Sequence, residues 1–141
     1  MTRPLIIAHR GSSARAPENT ILAFQTAIED GAQGVEFDVH LAKDGIPVVI
    51  HDDDLRRVGL RPERVADLCS DELASIDVGS WFNARHPDLA DPEFSTQTVS
   101  TLGEVLELLR CFNGLIYIEL KCDDENCQDL VAAVSLSLIH I

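Results

Sequence analysis

An α/β architecture is the fold class this sequence predicts. Short unbroken apolar runs, Leu5-Ile6-Ile7-Ala8 and Pro47-Val48-Val49-Ile50, have the composition of strands covered on both faces. An apolar stripe at helical spacing follows the first run and precedes another strand, so strand, helix and strand alternate. Several of the strands end abruptly in ionisable residues, which a purely structural strand does not need.

Taken in order, the first strand leads straight into His9-Arg10-Gly11. Asn19 suits the N-cap of a helix in which Ile21, Phe24, Ala27 and Ile28 share one face, and Gly31 stands where a glycine would end it. The second strand, Gly34-Val35-Glu36-Phe37-Asp38-Val39, turns Phe37 and Val39 to one face and Glu36 and Asp38 to the other. Asp44-Gly45 then signals a two-residue hairpin. Closed that way, Lys43 pairs with Ile46, Asp38 lies opposite His51, and Glu36, Asp38 and His51 line one surface. The alternative is a parallel pair, with His51 arriving at a strand end. Residues 54–98 form a decorated connection too long for a plain loop. In it Ser70-Asp71-Glu72-Leu73 opens a short helix, and Gly79-Ser80-Trp81-Phe82 reads as a packed loop. Ser100-Thr101-Leu102 precedes a helix with Val105, Leu106, Leu108 and Leu109 toward the core and its end at Asn113-Gly114. Residues 115–121 form a further strand, closing on Glu119-Leu120-Lys121, and Asp123-Asp124-Glu125-Asn126 opens a last helix.

The bulk composition narrows the function. A net charge of -13 argues against a nucleic-acid binder, which needs basic surface to meet phosphate. The first apolar run is too short for a signal-peptide core or a membrane span. Cys69, Cys111, Cys122 and Cys127 are irregularly spaced and lack zinc-site partners, so reduced thiols in a cytoplasmic protein are expected. An acidic chain handles an anionic substrate only if a metal or a local basic cluster reverses the field.

Such a reversal is what the strand ends offer. A single histidine at a strand end is more often structural than catalytic, and one Glu-x-Asp is usually a polar face. Carboxylates gathered at the ends of buried strands, however, repel and lose hydration unless a cation sits among them. A hard divalent ion, Mg²⁺ or Ca²⁺, takes oxygen ligands of this kind. Metal with Arg and Lys makes a site for phosphate, and two histidines can divide acid and base roles. No Gly-rich phosphate loop is present in the sequence. Metal-assisted phosphodiester cleavage fits all the parts.

These motifs resemble the glycerophosphodiester phosphodiesterase family. The likeness runs through His9-Arg10-Gly11, Pro17-Glu18-Asn19-Thr20, Gly34-Val35-Glu36-Phe37-Asp38-Val39, Lys43-Asp44-Gly45 and Val49-Ile50-His51-Asp52. It continues in Val65-Ala66-Asp67-Leu68, Gly79-Ser80-Trp81-Phe82, Thr101-Leu102-Gly103-Glu104-Val105-Leu106 and Ile118-Glu119-Leu120-Lys121. The resemblance implies a TIM-type (β/α)8 barrel, with the strand ends at its catalytic face. It implies His9 and His51 as the acid/base pair, Glu36, Asp38 and Glu119 as metal ligands, Arg10 and Lys121 as phosphate contacts, and Glu18 in support. The implied reaction hydrolyses a small-molecule glycerophosphodiester to glycerol 3-phosphate and an alcohol. Where relatives often carry a Thr-rich segment ending in Asn-Gly, this chain has Leu55-Arg56-Arg57-Val58-Gly59-Leu60, a stretch that borders the substrate.

A complete barrel takes about 250 residues. Residues 1–135 are therefore expected to be the N-terminal portion of one barrel domain, and 136–141, which match a translated sequencing adapter, a non-native tail. The competing readings are a phospholipase D-like enzyme of the sphingomyelinase D type and a non-catalytic phosphate- or metal-binding fragment.

Overall fold

The computed structural model describes residues 3–123 and 126–139. The elements follow in the order β1 (Ile7–His9), α1 (Ile21–Glu29), β2 (Gly34–Leu41), β3 (Pro47–Val49), α2 (Ser70–Leu73), α3 (Ser80–Arg85), β4 (Ser100–Thr101), α4 (Leu102–Leu108), β5 (Leu115–Leu120) and α5 (Cys127–Ile139). Short 3₁₀ turns decorate the connection, and one of them extends α4 to Cys111.

β2 is the centre of the sheet. β1 runs parallel to it with His9 beside Glu36, and β5 runs parallel along its other edge with Asp38 beside Glu119. Parallel neighbours joined through helices are what alternating apolar strands and amphipathic helices require. Val39 pairs with both Leu120 and Val49, so β3 lies on the edge of β2 away from β5. The helices pack over the apolar face of this sheet. Phe24 and Ala27 of α1 meet Val35, Phe37 and Val39 of β2, together with Leu102, Val105 and Leu106 of α4 and Leu130 of α5. The rings of Phe24 and Phe37 meet edge to face at 5.4 Å. With Phe37 and Val39 committed to that core, period-two alternation turns Glu36 and Asp38 the other way. A second cluster, including Leu55, Val58, Val65, Leu73, Ile76 and Val78, packs beneath the decorated connection, which is folded rather than loose.

Several sequence expectations need correction. The first apolar run is not covered on both faces: Leu5 and Ile6, which precede β1, are 54% and 68% exposed, and β1 itself is only partly buried. Thr20, not Asn19, caps α1, its Oγ1 accepting from Ala23 N at 3.2 Å. Gly31 does end α1, at φ +78°, with Ala32 N donating to the Ala27 carbonyl and Gly31 N to that of Ile28. The hairpin is antiparallel but shifted by one residue. Leu41 pairs with Pro47, and the Asp38 carbonyl accepts from Ile50 N, so Asp38 faces Ile50 and not His51. Gly45 at φ +77° absorbs the extra residue in a three-residue turn closed by Ala42 and Ile46. Gly79-Ser80-Trp81-Phe82 is the start of α3 rather than a loop, because Asp77 accepts from Gly79 N, Ser80 N and Ser80 Oγ and so satisfies its first turn.

The cysteine expectation also changes. Cys69 and Cys111 are free thiols, whereas Cys122 and Cys127 form a disulfide across a Cα separation of 4.9 Å. Reciprocal hydrogen bonds between Asp123 and Asn126 fold the end of β5 back onto the first residue of α5, bringing the two thiols together. The expected helix opening falls partly on residues 124–125, outside the described residues. α5 continues through Ile139 with Leu136 and Leu138 exposed, and the last two residues of the 136–141 tail also lie outside the described residues.

Candidate active site

The turn after β1 is built around left-handed backbone. Arg10 (φ +58°) and Gly11 (φ +76°) both lie there, a conformation costing a side-chain-bearing residue about 1–2 kcal/mol. Three backbone contacts hold it. Arg10 N donates to the Glu36 carbonyl at 2.8 Å and to Glu36 Oε2 at 3.1 Å, and Asn19 N donates to the Arg10 carbonyl at 3.0 Å. Gly11 cannot be replaced cheaply, since a Cβ there would meet the Ala23 backbone at 2.7 Å. The turn aims His9 and Arg10 across the end of β2.

Glu36 and Asp38 of β2 and Glu119 of β5 bring one carboxylate oxygen each within 4.8 Å of one another. Asp38 is fully buried. Its Oδ2 accepts from Asn19 Nδ2 at 2.9 Å and lies 3.3 Å from Arg10 Nε. Lys121 Nζ stands 3.2 Å from Asp38 Oδ1 and 2.6 Å from Glu119 Oε1. The Oδ1 contact lacks hydrogen-bond alignment, so this buried oxygen keeps unused acceptor capacity. Burial works most strongly against the charge on Asp38. The Asn19 hydrogen bond and the adjacent Lys121 ammonium, with the charges of His51 and Arg10, outweigh it and hold the carboxyl below its usual range. Lys121 is held protonated by Glu119 and Asp38. Three hard carboxylates, one with an unsatisfied buried oxygen, fit a divalent cation.

The two histidines sit differently. His9 Nε2 is 3.8 Å from Glu36 Oε2, and the ring is largely exposed. His51 is not opposite Asp38; it follows β3 and shares a small crevice with Glu18 and Asn19. Its Nδ1 bonds Asp52 Oδ1 at 2.7 Å, which leaves Nε2 for other work. His40 Nε2 donates to the His51 carbonyl at 2.9 Å, and burial lowers the His40 pKa so that its ring is neutral.

Glu18 does stand in support, through a partner the sequence reading did not single out. Arg57 Nη1 and Nη2 donate to the two Glu18 oxygens at 2.9 and 2.8 Å, and Arg57 Nε donates to Asp52 Oδ2 at 2.6 Å. Arg10 Nη1 reaches Glu18 Oε1 at 3.1 Å. A continuous chain of charges thus runs from His51 through Asp52, Arg57, Glu18 and Arg10 to Asp38. Burial raises the Glu18 and Asp52 pKa values most, yet both end lowered, Glu18 by Arg57 and Arg10 and Asp52 by Arg57 and His51. The sequence signal for Arg57 was its place in the 55–60 segment; for Asp52, its adjacency to His51.

A family model for the glycerophosphoryl diester phosphodiesterase family matches residues 9–134. The chain belongs to that family. It is 41% identical over 119 residues to a glycerophosphodiester phosphodiesterase of Caldanaerobacter subterraneus, covering 84% of this chain and 46% of that protein. A Bacillus subtilis glycerophosphodiester phosphodiesterase is 38% identical over 122 residues, 86% of this chain and 41% of that protein. Among solved structures, an Oleispira antarctica phosphodiesterase in complex with the product sn-glycerol-3-phosphate superposes with a TM-score of 0.86 at 35% identity, over 96% of this chain and 52% of that one. A glycerophosphodiester phosphodiesterase from Agrobacterium tumefaciens gives a TM-score of 0.81 at 35% identity, over 98% and 53%. The chain therefore spans about half the length of the relatives it matches. In the family's fold, β1, β2 and β5 are strands of the N-terminal portion of the (β/α)8 barrel, and the site lies at their C-terminal ends.

Proposed function

We propose that the protein carrying this chain hydrolyses glycerophosphodiesters to glycerol 3-phosphate and an alcohol, with a divalent cation, Mg²⁺ or Ca²⁺, held by Glu36, Asp38 and Glu119. The observation that carries the reading is the convergence of those three carboxylates beside Arg10, Lys121 and His9. When bound, the cation would neutralise charge on the phosphate oxygens as a Lewis acid.

The chain's own residues supply the rest. Arg10 and Lys121 orient the phosphate and offset its negative charge, which answers how so acidic a protein handles an anion. One histidine of the His9/His51 pair takes the proton of the attacking hydroxyl, which is a neighbouring hydroxyl of the substrate in the first step. The other gives a proton to the departing alcohol oxygen. Water then opens the resulting cyclic phosphate with the proton carriers in reversed roles. Asp52 fixes the His51 tautomer and keeps its Nε2 toward the reacting oxygen. Among the described residues no helix is long and apolar enough to cross a membrane. Release of glycerol 3-phosphate from glycerophosphocholine should stop with chelator and resume with either ion. A lysophospholipid run in parallel separates this activity from one of the sphingomyelinase D type.

A further inference from the structure

Asn19 does none of the work the sequence suggested for it. Thr20 caps the helix, yet Asn19 holds a left-handed backbone at φ +56° and is almost completely buried. Its amide spans Asp38: Nδ2 donates to Oδ2 at 2.9 Å, and Oδ1 faces the Asp38 backbone N–H at 3.5 Å. Arg10 Nε lies against the same Oδ2 at 3.3 Å. The Asn19 amide thus makes the hydrogen bond to Oδ2, with the Arg10 Nε close by but unaligned, while Oδ1 has Lys121 Nζ at 3.2 Å, also unaligned, and keeps its acceptor capacity. A carboxylate free to rotate would present either oxygen, or both, to a cation. One pinned through Oδ2 presents a single oxygen in one direction.

We infer that Asn19 is a positioning residue that dedicates Asp38 Oδ1 to the divalent cation and makes this ligand monodentate. The inference rests on the metal reading above. The consequence is selective. Mg²⁺ demands near-octahedral geometry at short distances, whereas Ca²⁺ tolerates bidentate carboxylates and irregular, higher coordination. Pinning Asp38 therefore favours Mg²⁺ relative to Ca²⁺, and the left-handed backbone at residue 19 is what lets the side chain reach it.

The test is a calorimetric titration of the full 141-residue chain with Mg²⁺ alone and with Ca²⁺ alone. Asn19→Gly removes the amide while tolerating the left-handed backbone, so it separates the side chain from the fold. Asn19→Asp keeps size and backbone tolerance but replaces the donor with another oxygen. Loss of a group orienting a ligand typically costs 10–100-fold in affinity, so Asn19→Gly should weaken Mg²⁺ binding by roughly that factor and Ca²⁺ binding by several-fold less. Asn19→Asp should also move the preference toward Ca²⁺. The ratio of the two dissociation constants is unaffected by any fraction of misfolded chain. A ratio unchanged within about twofold in both variants overturns the inference. Wild-type affinity retained in Glu36→Gln and Glu119→Gln, or no binding of either ion by the wild type, instead overturns the metal reading, and this inference falls with it.

Discussion

At the scale of single residues, the proposed site divides into groups that move protons and groups that hold charge. His51→Ala should lower turnover by about 10²–10⁴-fold while leaving cation affinity nearly intact, because the three carboxylates remain. Parallel assays of rate and metal binding check this, and unchanged turnover would remove His51 from the mechanism. Arg57→Ala should destabilise the fold by roughly 2–3 kcal/mol, since it strips charge-assisted bonds from both Glu18 and Asp52. Urea denaturation measures it. The titrations have definite signs. Glu18, Asp38 and Asp52 have folded pKa values below their unfolded ones, so their stabilisation is complete above the ordinary carboxylate range and is lost as pH falls through the folded values. His40 is also lowered, from 6.5; its contribution is complete above that pH and declines below it. The melting temperature should therefore begin to fall below about pH 6.5 and fall more steeply below about 4.5. His40→Gln keeps a donor toward the His51 carbonyl and should flatten the upper part of that curve. A curve of unchanged shape would contradict the assignment.

At the scale of elements, the turns decide where the chemistry lands. Gly11→Ala combines left-handed strain with a 2.7 Å collision against the α1 backbone, and should cost about 3 kcal/mol by the same denaturation measurement. A loss under 1 kcal/mol would mean that the turn can relax away from α1. The turns also explain what the sequence could and could not tell. The succession of strands and helices, the α1 stripe and the Gly31 stop are set by local periodicity, and they were legible. So were the shared face of Glu36 and Asp38 and that of Glu119 and Lys121, because alternation along a strand decides which side chains lie together. The β2–β3 register was not, because a glycine at positive φ admits a three-residue turn as readily as a two-residue one, and one residue separates the two outcomes. Asn19 and Thr20 are both good caps, and only the tertiary pull of Asp38 chooses between them. Arg57 was hidden for a similar reason: its partners Glu18 and Asp52 come from different loops, and a guanidinium in a variable-looking segment carries no periodic signal. The Cys122–Cys127 pairing likewise depends on a loop closed by Asp123 and Asn126, which spacing rules do not see.

At the scale of the whole molecule, a strongly acidic chain concentrates its buried cationic groups where the carboxylates converge, and the sheet that carries them is open on one side. β5 pairs with β2 alone among the described strands and exposes Leu115, Ile116 and Tyr117. A strand edge with apolar side chains invites association, so the 141-residue chain should show concentration-dependent self-association in light scattering. Glu or Lys at residues 115 and 117 should reduce it, and a monodisperse wild-type monomer at all concentrations would contradict the expectation. The central claim is that Glu36, Asp38 and Glu119 form a divalent-cation centre for glycerophosphodiester hydrolysis. The most direct measurement is the initial rate of glycerol 3-phosphate release from glycerophosphocholine by the protein carrying this chain, in chelator and then with excess Mg²⁺ or Ca²⁺, alongside Glu36→Gln and Glu119→Gln. The account predicts a rate abolished by chelator, restored by added ion in the wild type, and not restored in either variant. Full hydrolysis in chelator, or full restoration in the variants, would contradict it.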